Sequence, residues 1–129
     1  MSLSALFSPR QRGDDGERIA EQYLVRQGLR LVERNYRCRF GEVDLIMQQG
    51  DTLVFVEVRL RKVGARNGGN DFGGAAARIT GAKQKRLIAA AQHYLAGLRQ
   101  LPPCRFDAVL LNQVSEQGIE WIPDAFAAG

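Results

Sequence analysis

The stretch that decides the fold is EVDLIMQQGDTLVFVEVRL, residues 42–60. Two runs rich in Val, Leu, Ile and Phe flank Gln48-Gln49-Gly50-Asp51, and a Gly-Asp pair between such runs marks a tight β-hairpin. With Gly50-Asp51 as a two-residue turn, Gln49 faces Thr52 and, counted outward, Asp44 faces Glu57. Directly opposed side chains in an antiparallel pair have Cβ atoms about 4.5–5.5 Å apart. This register therefore sets two carboxylates side by side in otherwise apolar strands. A one-residue change in the turn would separate them. Strand alternation places Glu57 and Arg59 on one face and Val54, Val56 and Val58 on the other. Either Glu57 pairs with Arg59 or Lys62 at a partly exposed edge, or the acid pair holds a hard divalent cation, which needs one or two carboxylates plus waters and substrate phosphate.

Working outward, DDGERIAEQYLVRQG (residues 14–28) reads as a helix. Asp14 or Asp15 is the expected N-cap, Ile19, Ala20, Tyr23 and Leu24 form the apolar stripe, and Gly28 is the stop. Residues 1–12 read as a flexible terminus, and residues 13–126 as a single domain. LRLVERNYRCRF is a predicted strand, with a bulge or bend at Gly41. Residues 61–79 carry five glycines and almost no periodicity, the pattern of a mobile loop that orders around a ligand. TGAKQKRLIAAAQHYLAGL reads as a second helix, capped by Thr80, buried through Leu87, Ile88, Ala91 and Leu95, with Gly97 near its end, and terminated by Pro102 and Pro103. CRFDAVLLNQ is a strand, EQG a turn, and IEWIP a short last strand. The order α-β-β-β-α-β-(β) predicts an α/β fold, a mixed sheet flanked by helices.

The composition bounds the rest. At 129 residues, with 45% hydrophobic and 25% charged residues, the chain is of ordinary globular make-up. No apolar run approaches the roughly 20 residues of a membrane helix, and the start lacks the pattern of a signal peptide. Cys38 and Cys104 imply no disulfide framework, and the expected setting is reduced and cytoplasmic. Two cysteines and one histidine equip the chain poorly for structural zinc.

The net charge of +4 is local. Residues 59–86 hold eight Lys or Arg against Asp71 alone, while the rest of the chain is net acidic. The bland reading is a solvated basic surface; the functional one is contact with a polyanion. The second helix opens with Lys83, Lys85 and Arg86 and has no acid nearby. Cations there oppose the helix dipole, whereas a bound phosphate would turn both the lysines and the free N–H groups to use. Glu17, expected in the first turn of the first helix, is explained as a dipole stabiliser or as a further site acid. Tyr36 and Arg34, Arg37 and Arg39 either extend a nucleic-acid surface or solvate an edge. His93 has no partnering motif. Tyr94, Phe106 and Trp121 read as core or rim, and Asp107 as a partner of Arg105.

GE at 16–17, FGEVDLI at 40–46, FVEVRLR at 55–61, FGGA at 72–75, KQKRL at 83–87, AAQHYL at 90–95 and RFDAVLL at 105–111 together resemble the YraN family of small bacterial proteins. That resemblance covers about residues 13–126 and implies the restriction-endonuclease-like PD-(D/E)xK fold, akin to archaeal Holliday junction resolvases. It assigns a helix acid to Glu17, the metal-binding Asp to Asp44 (with EVD where PD would stand) and the (D/E)xK element to Glu57-Val58-Arg59. Here Arg59 replaces the lysine. Arginine keeps the charge but cannot deprotonate to act as a base, and Lys83 is the expected source of the ammonium.

The resulting expectation is a metal-dependent nuclease acting on DNA rather than RNA, on branched or flapped structures. Asp44 and Glu57 would hold Mg²⁺ or Mn²⁺, with Glu17, Arg59 and Lys83 completing the catalytic set. Arg61, Lys62, Arg66, Arg78, Lys85 and Arg86 would grip the nucleic-acid backbone, and a homodimer would suit a two-strand cut. The alternative is a non-catalytic nucleic-acid binding module that retains the fold.

Overall fold

The computed structural model describes residues 9–60, 79–112 and 118–127, with side-chain placement from Asp15 onward. The expected loop at 61–79, apart from Ile79, lies outside the described residues, as do Arg61, Lys62, Arg66 and Arg78 and most of the EQG turn. The elements are α1 (Pro9–Arg26), β1 (Arg30–Cys38), β2 (Gly41–Gln49), β3 (Thr52–Leu60), α2 (Gly81–Ala96), β4 (Cys104–Leu111) and β5 (Glu120–Phe126). The five strands form one sheet in the order β1-β2-β3-β4-β5. All neighbours are antiparallel except β3 and β4, which are parallel. A parallel pair needs a crossover rather than a hairpin, and α2 lies in that connection. The fold is thus the α/β mixed sheet flanked by helices that the sequence implied.

Each helix covers one side. Ala20 and Leu24 of α1 pack with Leu45, Met47, Val54, Val56, Val109 and Leu111. Leu87, Ala90 and Ala91 of α2 pack with Val43, Ile46, Leu53, Phe55 and Phe106. Val54 and Val56 face α1 while Phe55 faces α2, so β3 is buried on both faces; this is why its sequence is a nearly continuous apolar run.

Three boundaries differ from expectation. First, α1 begins at Pro9, not after Asp14 or Asp15. Proline suits a first helical position because its missing N–H has no intrahelical partner there. Glu17 therefore lies beyond the first turn, which holds no acid, and the dipole explanation for it falls away. At the other end Gly28 stops the helix as expected, at φ +100°. Leu29 N donates to Leu24 O and Gly28 N to Val25 O, both at 3.0 Å, which is a Schellman closure with Leu24 and Leu29 both buried. Second, Pro102 and Pro103 do not end α2. Gly97 caps it, and the Pro103 carbonyl instead accepts from Leu53 N at 2.9 Å, aligning the start of β4 with β3. Third, the β1–β2 link is a two-residue turn, Arg39-Phe40, with Cys38 paired to Gly41. The irregularity of this pair lies earlier, between Leu31 and Glu33.

Candidate metal and phosphate site

The β2–β3 hairpin has the register that the two-residue turn demands. Gln49 pairs with Thr52, and the ladder runs outward to Leu45 opposite Val56. Asp44 and Glu57 are the next residues on the two strands. There the ladder gives way to side-chain bonding, with Val58 N donating to Asp44 Oδ2 at 2.8 Å. Both carboxylates are 7% exposed, which is rare for acids without a compensating charge.

Lys83 supplies part of that charge. Thr80 caps α2, accepting from Lys83 N at 3.1 Å, and this fixes the first turn. From it the Lys83 side chain reaches Glu57 Oε2 at 3.0 Å. The Lys83 ammonium is thus paired with one acid of the site. Among the described residues no ion pair joins Asp44. Burial pushes its carboxyl well above the usual carboxylate range, the charge of Glu57 adds to this, and the Val58 N–H pulls it partly back. Charge on Glu17 and a hydrogen bond with it raise Asp44 further. Asp44 is thus the pivot of the site, approached by Glu57 on the neighbouring strand and by Glu17 on α1.

Asp44, Glu57 and Lys83 line a cleft of about 460 Å³ together with Arg37, Arg39, Phe40, Glu42 and Arg86. Gly41 holds the near wall against α2. A Cβ there would lie 2.5 Å from the Arg86 carbonyl oxygen, so only glycine lets the strand start and the helix backbone approach this closely. The other expected residues fall into three groups. Glu17 lines a separate hollow of about 150 Å³ with Glu21, Arg34 and Leu45 and interacts with Asp44 of the main site. Arg59 is half-buried and is not among the residues lining the cleft. Arg86 lines it, whereas Lys85 is exposed away from it.

Bystander residues largely follow their expected roles. Asp107 is fully buried and accepts from Arg105 Nε at 2.9 Å, from Trp121 Nε1 at 2.9 Å and from Asp124 N at 2.9 Å. Arg34 is tied to Glu21 at 2.7 Å and Arg37 to Glu42 at 3.4 Å. His93 is less ordinary than expected: its Nδ1 is hydrogen-bonded to the Tyr36 hydroxyl. Both cysteines are free. The residue the sequence reading missed is Phe40, which lines the cleft while 46% exposed. Its signal was present in the alternation of arginine with an aromatic in RCRF.

Among the described residues no set of three or more His, Cys, Asp or Glu side chains converges to cage a metal by protein ligands alone. The donors present fit a hard ion that keeps waters. They are two adjacent carboxylates, one of them held above its usual pKa by burial and by the charge of Glu57, opening on the cleft.

A family model described as "Uncharacterised protein family UPF0102" matches residues 16–111. The chain belongs to the UPF0102 family. Curated UPF0102 proteins similar to it include one from Methylobacillus flagellatus, 55% identical over 92% of this chain and 99% of the relative. A second, from Nitrosomonas europaea, is 56% identical over 94% and 98%. A third, from Nitrosococcus oceani, is 50% identical over 91% and 92%. The UPF0102 match begins at the GE of α1 and ends with β4, so it spans every residue of the acid cluster. No helix among the described residues is long and apolar enough to cross a membrane.

Proposed function

We propose that this UPF0102 protein is a divalent-metal-dependent nuclease acting on DNA, with branched or flapped structures as its substrates. The observation that carries the reading is the meeting of Asp44, Glu57 and Lys83 in one cleft rimmed by Arg37, Arg39 and Arg86. Buried acids need positive charge, and here they adjoin basic residues that suit a phosphate backbone.

Asp44 and Glu57 would hold Mg²⁺ or Mn²⁺, which when bound polarises a phosphate and lowers the pKa of an attacking water. The chain supplies the rest. Lys83 balances one carboxylate and keeps Glu57 turned toward the cleft, and its ammonium, 41% exposed at the side chain, is within reach of charge building on a phosphate there. Its position beside Glu57 supports its taking the part that Arg59 cannot. Glu17 holds Asp44 in place through their hydrogen bond. Arg86 contacts backbone phosphate without reading sequence.

The test is incubation of the pure protein with branched, flapped, single-stranded and blunt duplex DNA in Mn²⁺, beside Asp44→Ala and Glu57→Ala. Cleavage lost in both variants is the expected result, by a factor of at least about 10². Cleavage that survives both would overturn the assignment. Binding with a steep salt dependence and no products in any metal would favour the non-catalytic module.

A further inference from the structure

Phe40 is the one aromatic among the exposed large hydrophobic side chains of the described residues. It is the second residue of a two-residue turn, 46% exposed, at the lip of the cleft that contains Asp44 and Glu57. Single exposed apolar side chains are common, and Val25, Val32, Leu60, Leu98 and Leu101 are exposed as well; what sets Phe40 apart is an aromatic ring on the rim of a cleft that arginines also line.

The turn is also held rigidly. On one side Gly41 lets it sit against the α2 backbone at Arg86. Beside it the exposed His93 has its ring centroid 5.9 Å from that of Phe40 and is hydrogen-bonded to Tyr36. Tyr36 in turn meets Tyr94 edge-on at 5.2 Å, and Tyr94 packs on the buried Phe55 at 6.2 Å. An aromatic chain thus runs from the core to an exposed ring. Arg39 lays its guanidinium over one face of that ring, 5.0 Å from the centroid, so the planar surface offered there is the guanidinium stacked on the ring. Arg86 adds a cation to the same rim, whereas Arg37, also on it, is ion-paired with Glu42.

We infer that Phe40, with Arg39, is a stacking platform for an unpaired nucleobase whose backbone phosphates lie toward Arg86 and the Asp44–Glu57 pair. An aromatic face accepts any base, and Arg planes stack on bases as well. In duplex DNA the bases are stacked on each other and offer no free face, so the platform selects single-stranded segments, such as those at a flap or junction. The inference rests on the nucleic-acid reading above and gives it a structural source of substrate preference.

Binding is measured in EDTA, so that no cleavage intervenes, by anisotropy of a labelled 15-nucleotide single strand and a blunt 15-base-pair duplex. Phe40→Ala is expected to weaken single-strand binding about tenfold more than duplex binding, the loss of roughly one base stack. Phe40→Trp retains the affinity, and its added indole emission is quenched by the single strand, relative to the same titration of the parent protein. Phe40→Leu, which keeps apolar bulk without a ring, behaves like Phe40→Ala. Equal losses on both DNAs, no loss, or an unquenched Trp variant that binds would each overturn the platform while leaving the nuclease reading intact. A parent protein that binds neither DNA would overturn the platform, and the nuclease reading is then decided by the Mn²⁺ cleavage assay on branched DNA. Loss of cleavage in Asp44→Ala with normal Phe40-dependent binding supports both.

Discussion

Asp44 carries two opposed demands. Its backbone position, one residue past the end of the β2–β3 ladder, makes its carboxylate the acceptor for Val58 N. Its burial beside Glu57 and Glu17 penalises the charge that makes it a good acceptor. The native state therefore holds the Asp44 proton more tightly than the unfolded chain, where an aspartate titrates near about 3.9. Between that value and the raised native one, the native state binds more protons, so stability falls as pH rises through the window. Asp44→Asn keeps the acceptor and the shape but removes the charge. Without metal, the variant is expected to melt several degrees above the parent at about pH 8, the gap closing toward about pH 4. Scanning calorimetry across that range checks it, and a pH-independent gap would refute the buried-charge account. Excess Mn²⁺ should reverse the order, stabilising the parent by about 2.7 kcal/mol at a hundred times its Kd and the variant far less. The juxtaposition of Asp44 with Glu57 was legible because a two-residue turn leaves a hairpin no slack. The Lys83–Glu57 bond spans 26 positions and crosses from helix to strand, so no local pattern could supply it; the basic opening of α2 and the family resemblance both singled out Lys83, but neither paired it with Glu57. Arg59 shows the reverse failure. It shares strand parity with Glu57, yet parity fixes the face of a sheet and not how far along it a cleft extends.

At the scale of elements, the site depends on how closely the β1–β2 turn and α2 approach. Gly41 sets that distance. In Gly41→Ala the new Cβ, 2.5 Å from the Arg86 carbonyl oxygen, meets backbone rather than a pliable side chain, and at φ +156° the alanine is strained as well. The expected cost is about 1–3 kcal/mol in urea unfolding. Because the turn must lift from α2, single-strand affinity should fall in the same variant even under conditions where it is fully folded. Full stability with unchanged affinity would show that the turn is not held by this contact. The sequence marked Gly41 as special but suggested a bulge, since close approach to a helix 45 residues away leaves no local trace. Helix ends were ambiguous for a different reason. Asp14 and Asp15 are good caps, but so favourable a residue as Pro9 at the first position let α1 start earlier. At α2, Gly97 supplied the cap before the prolines were reached.

For the whole molecule, the question is which of its many cations meet a polyanion. The chain has 18 Lys and Arg, but the structure sorts those it describes. Arg34 is bonded to Glu21 beside the smaller hollow, and Arg105 to the buried Asp107; both neutralise acids of the fold. Arg86 is exposed on the cleft rim, on the same face as Lys83. Counterion release makes the logarithm of DNA affinity fall linearly with the logarithm of salt, by about 0.9 per phosphate neutralised on a duplex. Arg86→Gln should therefore flatten that slope by about 0.9, weakening all sequences alike, because backbone contact carries no base information. Arg34→Gln should leave the slope nearly unchanged, since its charge is already spent on Glu21. Titrations of both variants between about 50 and 200 mM salt decide the matter. If Arg34→Gln flattens the slope and Arg86→Gln does not, the DNA track runs across α1 and β1 rather than through the Asp44–Glu57 cleft, and the catalytic reading of that cleft loses its electrostatic support.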